Sequence, residues 1–284
     1  MPPNTRSIPK QLLMEYALYL PPLAARRHIK YFWSLDKSAG EILPAVYKSM
    51  ADGYTEVVFS INGSFKEYYN YGGYVLPQHC NHRTLTIGEN IGLFGVRLYP
   101  YAILPLLGIA SHEVIDHVHD IHDMLPRDLV HEITEAASHP ERISIFCRHM
   151  LGKANTPPTI LERAVHRMIE TYGKENINDL RSVLSISERQ LERKFKEYVG
   201  FTPKHYSRIL RFQYSKRHFV GHAKSFAEIA LDCNYADQPH FARDFKEFSG
   251  MTVSEYWNLV NKPASEEARV IKGLMLAKDQ PYHL

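Results

Sequence analysis

The rhythm of apolar and polar positions changes near residue 110. Before that point the pattern is short and strand-like. Tyr54-Thr55-Glu56-Val57-Val58-Phe59 partly alternates, as a half-buried strand does. Residues 65–76 are aromatic and broken by Gly72-Gly73, which predicts a hairpin, and residues 84–87 and 93–99 read as further strands. From 111 to 151 the period becomes helical, with Leu129, Ile133, Ala136 and Ala137 at helical spacing. Residues 152–158, Gly-Lys-Ala-Asn-Thr-Pro-Pro, cannot continue a helix and form the natural linker. From 159 to about 260 the chain reads as helices joined by short turns. The expected organisation is therefore α+β and multidomain. It has a strand-rich N-terminal domain with following helices (1–152), a linker (153–158), an all-α domain (159–260) and a tail (261–284).

The helical domain contains a duplication. Shifted by 50 residues, 191–206 overlays 241–256 with seven of sixteen columns identical: Arg193/Arg243, Phe195/Phe245, Lys196/Lys246, Glu197/Glu247, Gly200/Gly250, Thr202/Thr252 and Tyr206/Tyr256. So dense a repeat means one structural unit used twice. In the first copy Ser187 is a natural N-cap, and Gln190 three residues on completes a capping box. Leu191, Phe195 and Tyr198 make an inward stripe, and Arg189, Glu192, Arg193 and Lys196 lie opposite. Gly200 supplies a left-handed stop, and Thr202-Pro203 opens the next helix. In the second copy Asp237 caps, Phe241, Phe245 and Phe248 face in, and Gln238, Arg243 and Lys246 are left outside. Gly250 stops the helix and Thr252 restarts the chain.

A shorter helix precedes each of these, over 178–184 and 225–232, with breaks at Ser185-Ile186 and at Cys233-Asn234-Tyr235-Ala236. A short helix, a tight turn and a second helix with a polar outer face is the helix-turn-helix arrangement, here present twice. A connecting helix over 203–220 would be roughly 27 Å long, which suits two reading helices set near the ~34 Å separation of successive major grooves. Paired hairpins also build solenoids, but two copies separated by a long helix are too few for one. Lys204, Arg208, Arg211, Lys216 and Arg217 along the connector read either as a solvated face or as anchors for phosphate.

Charge agrees with this division. Of 34 Lys+Arg and 31 Asp+Glu, residues 159–260 hold 16 and 13, leaving 18 and 18 elsewhere, so the whole excess of +3 sits in the helical domain. Cys80, Cys147 and Cys233 are far apart and form no paired motif, as in a reducing cytoplasm. The most apolar stretch, 92–110, is interrupted by Arg97, Pro100 and Pro105 and makes a poor membrane span. The sequence therefore predicts a soluble, cytoplasmic protein. His112, His117, His119, His122 and His131, with His79 and His82 upstream and Asp116, Asp120 and Asp123 nearby, match no zinc spacing. They read as solvated polar residues, and no metal or cofactor is expected. No phosphate-cradling glycine loop, dinucleotide fingerprint or nucleophile elbow is present. Trp33, Tyr54, Tyr68, Tyr69 and Tyr74 are candidates for a ligand pocket or for core.

The segment Ile229-Ala230 … Asn234-Tyr235-Ala236-Asp237-Gln238 … Phe241-Ala242-Arg243-Asp244-Phe245-Lys246 … Gly250-Met251-Thr252-Val253-Ser254-Glu255-Tyr256 resembles the signature of the AraC/XylS regulators. Upstream, Ser187 through Lys196, then Gly200, Pro203 and Tyr206, resemble that family's first recognition helix and its exit. Asn234-Tyr235 replaces the usual Gly-Phe, Pro239-His240 the usual Ser-Tyr, and Thr252-Val253 the usual Thr-Pro. Asparagine tolerates the left-handed turn. Residues 20–35 and 92–100 are similar to a cupin-like domain found ahead of such modules.

The resemblance implies a DNA-binding transcription regulator and not an enzyme. Arg189, Glu192 and Arg193 would reach base edges from one unit, and Gln238, His240 and Arg243 from the other. Arginine's two-pronged donor suits guanine, and glutamine suits adenine. Glu192 would accept from a cytosine amino group or else orient Arg193. Ser187, Lys196, Lys204, Arg208 and Lys246 would anchor phosphates. Double-stranded DNA, RNA polymerase met as an activator, a small-molecule effector and a second copy of the chain are the implied partners; a membrane is not. A competing reading is a bifunctional repair enzyme that uses Cys80 beside Arg83 as a reactive thiol.

Overall fold

The computed structural model describes residues 14–37, 46–63, 72–76, 78, 82–86, 91–115, 117–151, 159–219 and 224–261. The first half is an antiparallel assembly. Its strands are β1 (Met14–Tyr19), β2 (Ile29–Lys37), β3 (Val46–Ser49), β4 (Thr55–Asn62), β5 (Gly73–Leu76), β6 (Arg83–Thr86), β7 (Ile91–Leu98) and the two-residue β8 (His119–Asp120). Six of them form one sheet in the order β1-β2-β7-β4-β5-β8, and β3 pairs with β6 in a separate ribbon.

Strand β7 is central and buried along its whole length, which explains why its sequence is a nearly unbroken apolar run. Gly95 lies opposite Trp33 in the β2–β7 register. A Cβ there would fall 1.9 Å from Trp33 Cε2, so the indole takes the space a side chain would need. The same strand carries Arg97, which is 4% exposed and paired with Asp52 at 2.6 Å and Glu56 at 2.5 Å, so its buried charge is compensated. Beside it Lys30 donates to the Tyr54 hydroxyl at 2.6 Å, and burial, followed by the Arg97 charge, pushes its ammonium down to about 7.

Helices then cover the sheet: α1 (Ile103–Leu107), α2 (Ser111–Val114), α3 (Ile121–Met124), α4 (Arg127–Glu135) and α5 (His139–Leu151). Phe146 of α5 meets Phe32 and Phe59 edge-on at 5.9 and 6.2 Å. Arg142 reaches the carbonyls of Ile133 and Ala136 at 3.1 and 2.6 Å, satisfying the C-terminal end of α4.

The expectation of strands followed by helices is met, and each strand expected from 54 to 99 coincides with β4, β5, β6 or β7 where those residues are described. Strands β1, β2 and β3 were not anticipated, nor was the two-residue β8, which falls within the stretch 111–151 read as helical. Of the hairpin expected over 65–76, residues 65–71 lie outside the described residues, as does the 152–158 linker, and Gly73, expected at the break, begins β5.

The second half consists of α6 (Thr159–Glu170), α7 (Ile177–Leu184), α8 (Glu188–Tyr198), α9 (Pro203–Lys216), α10 (Phe226–Asp232), α11 (Gln238–Ser249) and α12 (Val253–Asn261). The connecting helix α9 is shorter than expected. It ends at Lys216 after 14 residues, about 21 Å, and 217–219 tighten into a 3-10 turn. That tightening brings Phe219 into the second unit, where its ring meets Phe245 at 5.6 Å and Tyr256 at 5.3 Å.

The two halves are joined by specific contacts. Arg27 bonds Glu162 of α6 at 2.7 Å, and the Tyr101 hydroxyl lies 2.9 Å from His166 Nε2. Ser111 donates to the Tyr198 carbonyl at 2.6 Å, the Ala51 amide donates to the Phe248 carbonyl at 3.1 Å, and Gln213 of α9 donates to the Ala51 carbonyl. No helix among the described residues is long and apolar enough to cross a membrane.

Candidate nucleic-acid interface

The first unit is α7, a turn and α8. Asn176 caps α7, and the turn passes through Ser185 in the left-handed region at φ 52°. Ser187 then caps α8, accepting from the Gln190 amide at 3.3 Å while Gln190 Oε1 accepts from the Ser187 amide at 3.1 Å. Leu191 and Phe195 are buried beneath α8. Arg189, Glu192, Arg193 and Lys196 are exposed at i, i+3, i+4 and i+7, a single outward face. Gly200 closes the helix at φ 83°.

The second unit repeats this plan. Ser225 and Glu228 form a capping box at the start of α10, a signal the sequence carried in its Ser-x-x-Glu spacing. The turn passes through Asn234 at φ 59°, so asparagine does accept the left-handed conformation in place of glycine. Asp237 accepts from the His240 amide at 2.6 Å, Pro239 sits in the first turn of α11, and Gly250 ends it at φ 70°. Phe241, Phe245 and Phe248 are fully buried. Gln238, Arg243 and Lys246 are exposed and line a groove of about 500 Å³, together with Thr252 and Ser254 at the start of α12. His240 is half-buried, with its ring edge-on to Tyr235 at 5.3 Å. The participation of Thr252 and Ser254 was not anticipated; a second Thr-x-x-Glu box, Thr252 with Glu255, signals it.

Ion pairing divides the basic residues into two groups. Arg181, Arg167 and Lys224 are paired with Glu188, Glu175 and Asp232. Along α9, Lys216 is 5% exposed over the Phe212 ring, and Arg211 and Arg217 lie over the rings of Tyr235 and Tyr172 at 5.2 and 4.9 Å. Arg208 bonds Asp244 at 2.8 Å and Glu247 at 2.6 Å and lies over Phe248. Burial works against its charge, but the two carboxylates outweigh this and hold its pKa above the ordinary guanidinium value. The structure thus commits Arg208 to α11. Arg189, Arg193, Lys196, Lys204, Arg243 and Lys246 form no ion pair with any described residue, and all six are exposed.

Among the described residues no three His, Cys, Asp or Glu side chains converge as metal ligands would; Asp116 and His79 lie outside those residues. Cys80 also lies outside them. Burial pushes the Cys147 thiol up to about 11 and the Cys233 thiol up to about 12, so both are held protonated.

Residues 180–258 match a family described as a helix-turn-helix domain, and residues 17–120 match a domain of unknown function (DUF6597). The HTH-type transcriptional regulator ArgR of Pseudomonas aeruginosa is 26% identical over 144 residues, 49% of this chain and 41% of that protein. The HTH-type transcriptional activator RhaR of Salmonella dublin is 24% identical over 182 residues, 60% of this chain and 62% of that protein. The chain is similar to transcriptional regulators of the AraC/XylS type, with the helix-turn-helix match confined to residues 180–258. An AraC-type regulator structure from Chromobacterium violaceum is 28% identical, covers 37% of this chain and 95% of its own, and superposes with a TM-score of 0.34. The chain spans less than two thirds of both curated relatives: 41% of ArgR and 62% of RhaR. Both are regulators of transcription by name, and neither points to a repair enzyme.

Proposed function

We propose that the protein is a sequence-specific, double-stranded-DNA-binding regulator of transcription that reads two neighbouring major grooves with α8 and α11. The observation that carries this is the set of six exposed, unpaired cations on the outward faces and exits of two duplicated, capped helices. Cations already paired with carboxylates have their partners within the free protein. Six left unpaired on one kind of surface suit a polyanion whose condensed counterions they would release.

Arg189, Glu192 and Arg193 would read bases in one groove, and Gln238, His240 and Arg243 in the next. Ser187, Lys196, Lys204 and Lys246 would set register on phosphates. The sheet-bearing part (1–152) would serve sensing by a small-molecule effector or pairing with a second copy. Contact with RNA polymerase would carry the regulatory output from 159–260.

The test uses a duplex enriched from a random library by the full chain. Arg243→Ala should lose about 1–3 kcal/mol on that duplex and relax base preference at one position. Lys246→Ala should weaken binding to all sequences alike and lower the salt slope by about one. An equal loss for Arg243→Ala on random and enriched DNA would remove it from base readout. Failure of the full chain to enrich any sequence at low salt would end the proposal.

A further inference from the structure

Ser111 donates to the Tyr198 carbonyl, and Ala51 donates to the Phe248 carbonyl. Tyr198 and Phe248 occupy the same column of the duplication, 50 residues apart. Each lies in the last turn of its reading helix, where backbone carbonyls have no partner within the helix. The N-terminal half therefore places one donor on the equivalent orphan carbonyl of each unit, using two unrelated elements to do so.

The stops beyond these carbonyls are also covered from the same side. A Cβ on Gly200 would come within 2.8 Å of Ile115 Cδ1, and one on Gly250 within 2.4 Å of the His82 ring. Ser111 is completely buried and Ala51 likewise, so neither contact is a chance surface touch. Ala51 is further tied down by Gln213 of α9, which donates to its carbonyl, so the amide and carbonyl of this one residue link the second reading helix to the connecting helix.

We infer that Ser111 and Ala51 are positioning residues for DNA reading. The N-terminal half braces α8 and α11 from their C-terminal ends and so sets the separation and angle at which the two helices meet the duplex. This rests on the DNA reading proposed above. Two units joined by one connecting helix can flex about α9, whereas two end-on hydrogen bonds into the N-terminal half hold both units to a common frame. The helix ends distal to the brace, bearing Arg189 and Gln238, stay clear of it. The brace therefore tunes spacing without touching a base.

The test is spacing discrimination. The enriched duplex is remade with one base pair inserted or deleted between the two half-sites, and affinities of the full chain are compared as a ratio. Ser111→Ala and Gln213→Ala each remove one side-chain hydrogen bond and touch no proposed DNA contact. In these variants the ratio of original to altered spacing should fall about threefold to tenfold, with the double variant lowest, while the fold, followed by circular dichroism, is retained. An unchanged ratio in both folded variants overturns the brace and leaves the DNA reading intact. Equal tightening at every spacing also overturns it, because the contacts would then be a block. If the wild-type chain enriches no sequence, the DNA reading itself fails and the brace falls with it.

Discussion

In the first unit the residue after Arg193 is Lys194, partly exposed on α8. In the second the matching residue is Asp244, 2% exposed, which accepts from Arg208 of the connecting helix. Glu197 and Glu247 are identical by sequence, yet Glu247 also holds Arg208 and Glu197 forms no ion pair with a described residue. Tyr198 is half-buried where Phe248 is wholly buried among Phe212 and His205. The two units therefore share a frame of caps, inward rings and glycine stops but differ in their anchors. Duplication preserves what a helix needs to exist. The neighbours of each copy then reassign the columns that a helix does not need.

Three measurements break or sharpen that contrast. The largest effect belongs to the shared frame. Phe195→Ala and Phe245→Ala each empty a site that is completely buried, and each should cost about 3–5 kcal/mol in denaturant unfolding. A cost confined to one of them would mean the two cores are not equivalent.

Asp244→Ala is next. It leaves the partly buried Arg208 guanidinium without its buried carboxylate partner and should cost about 1–3 kcal/mol. Lys194→Ala in the same column should stay within about 0.5 kcal/mol. Equal costs would show that the Arg208 network does not distinguish the units.

The smallest effect concerns the turns. Ser185 holds a left-handed backbone at φ 52° that glycine adopts without strain, whereas Asn234 at φ 59° already tolerates it. Ser185→Gly should therefore raise the stability of the first unit by a few tenths of a kcal/mol, up to about 1. Asn234→Gly should gain less, and a reversed order in thermal unfolding would contradict the assignment of strain.

What the amino-acid sequence determined by itself is local. Ser187 with Gln190, Asp237, Gly200 and Gly250, and the inward stripes of α8 and α11 could be read directly. Capping, left-handed stops and helical periodicity depend on residues three to seven apart. The exposure of Arg189, Arg193, Lys196, Arg243 and Lys246 follows from the same periodicity. The tertiary structure decided everything that depends on distant partners. Arg208 meets Asp244 from 36 residues away and Ser111 meets Tyr198 from 87, so nothing in the local pattern separates an arginine tied into the fold from one left at the surface. Arg211, Lys216 and Arg217 follow the same pattern as Lys204 in the sequence, and only the rings that the fold brings beneath them set the three apart from it. The early end of α9 has the same origin, because burying Phe219 in the second unit outweighs extending the helix by another turn.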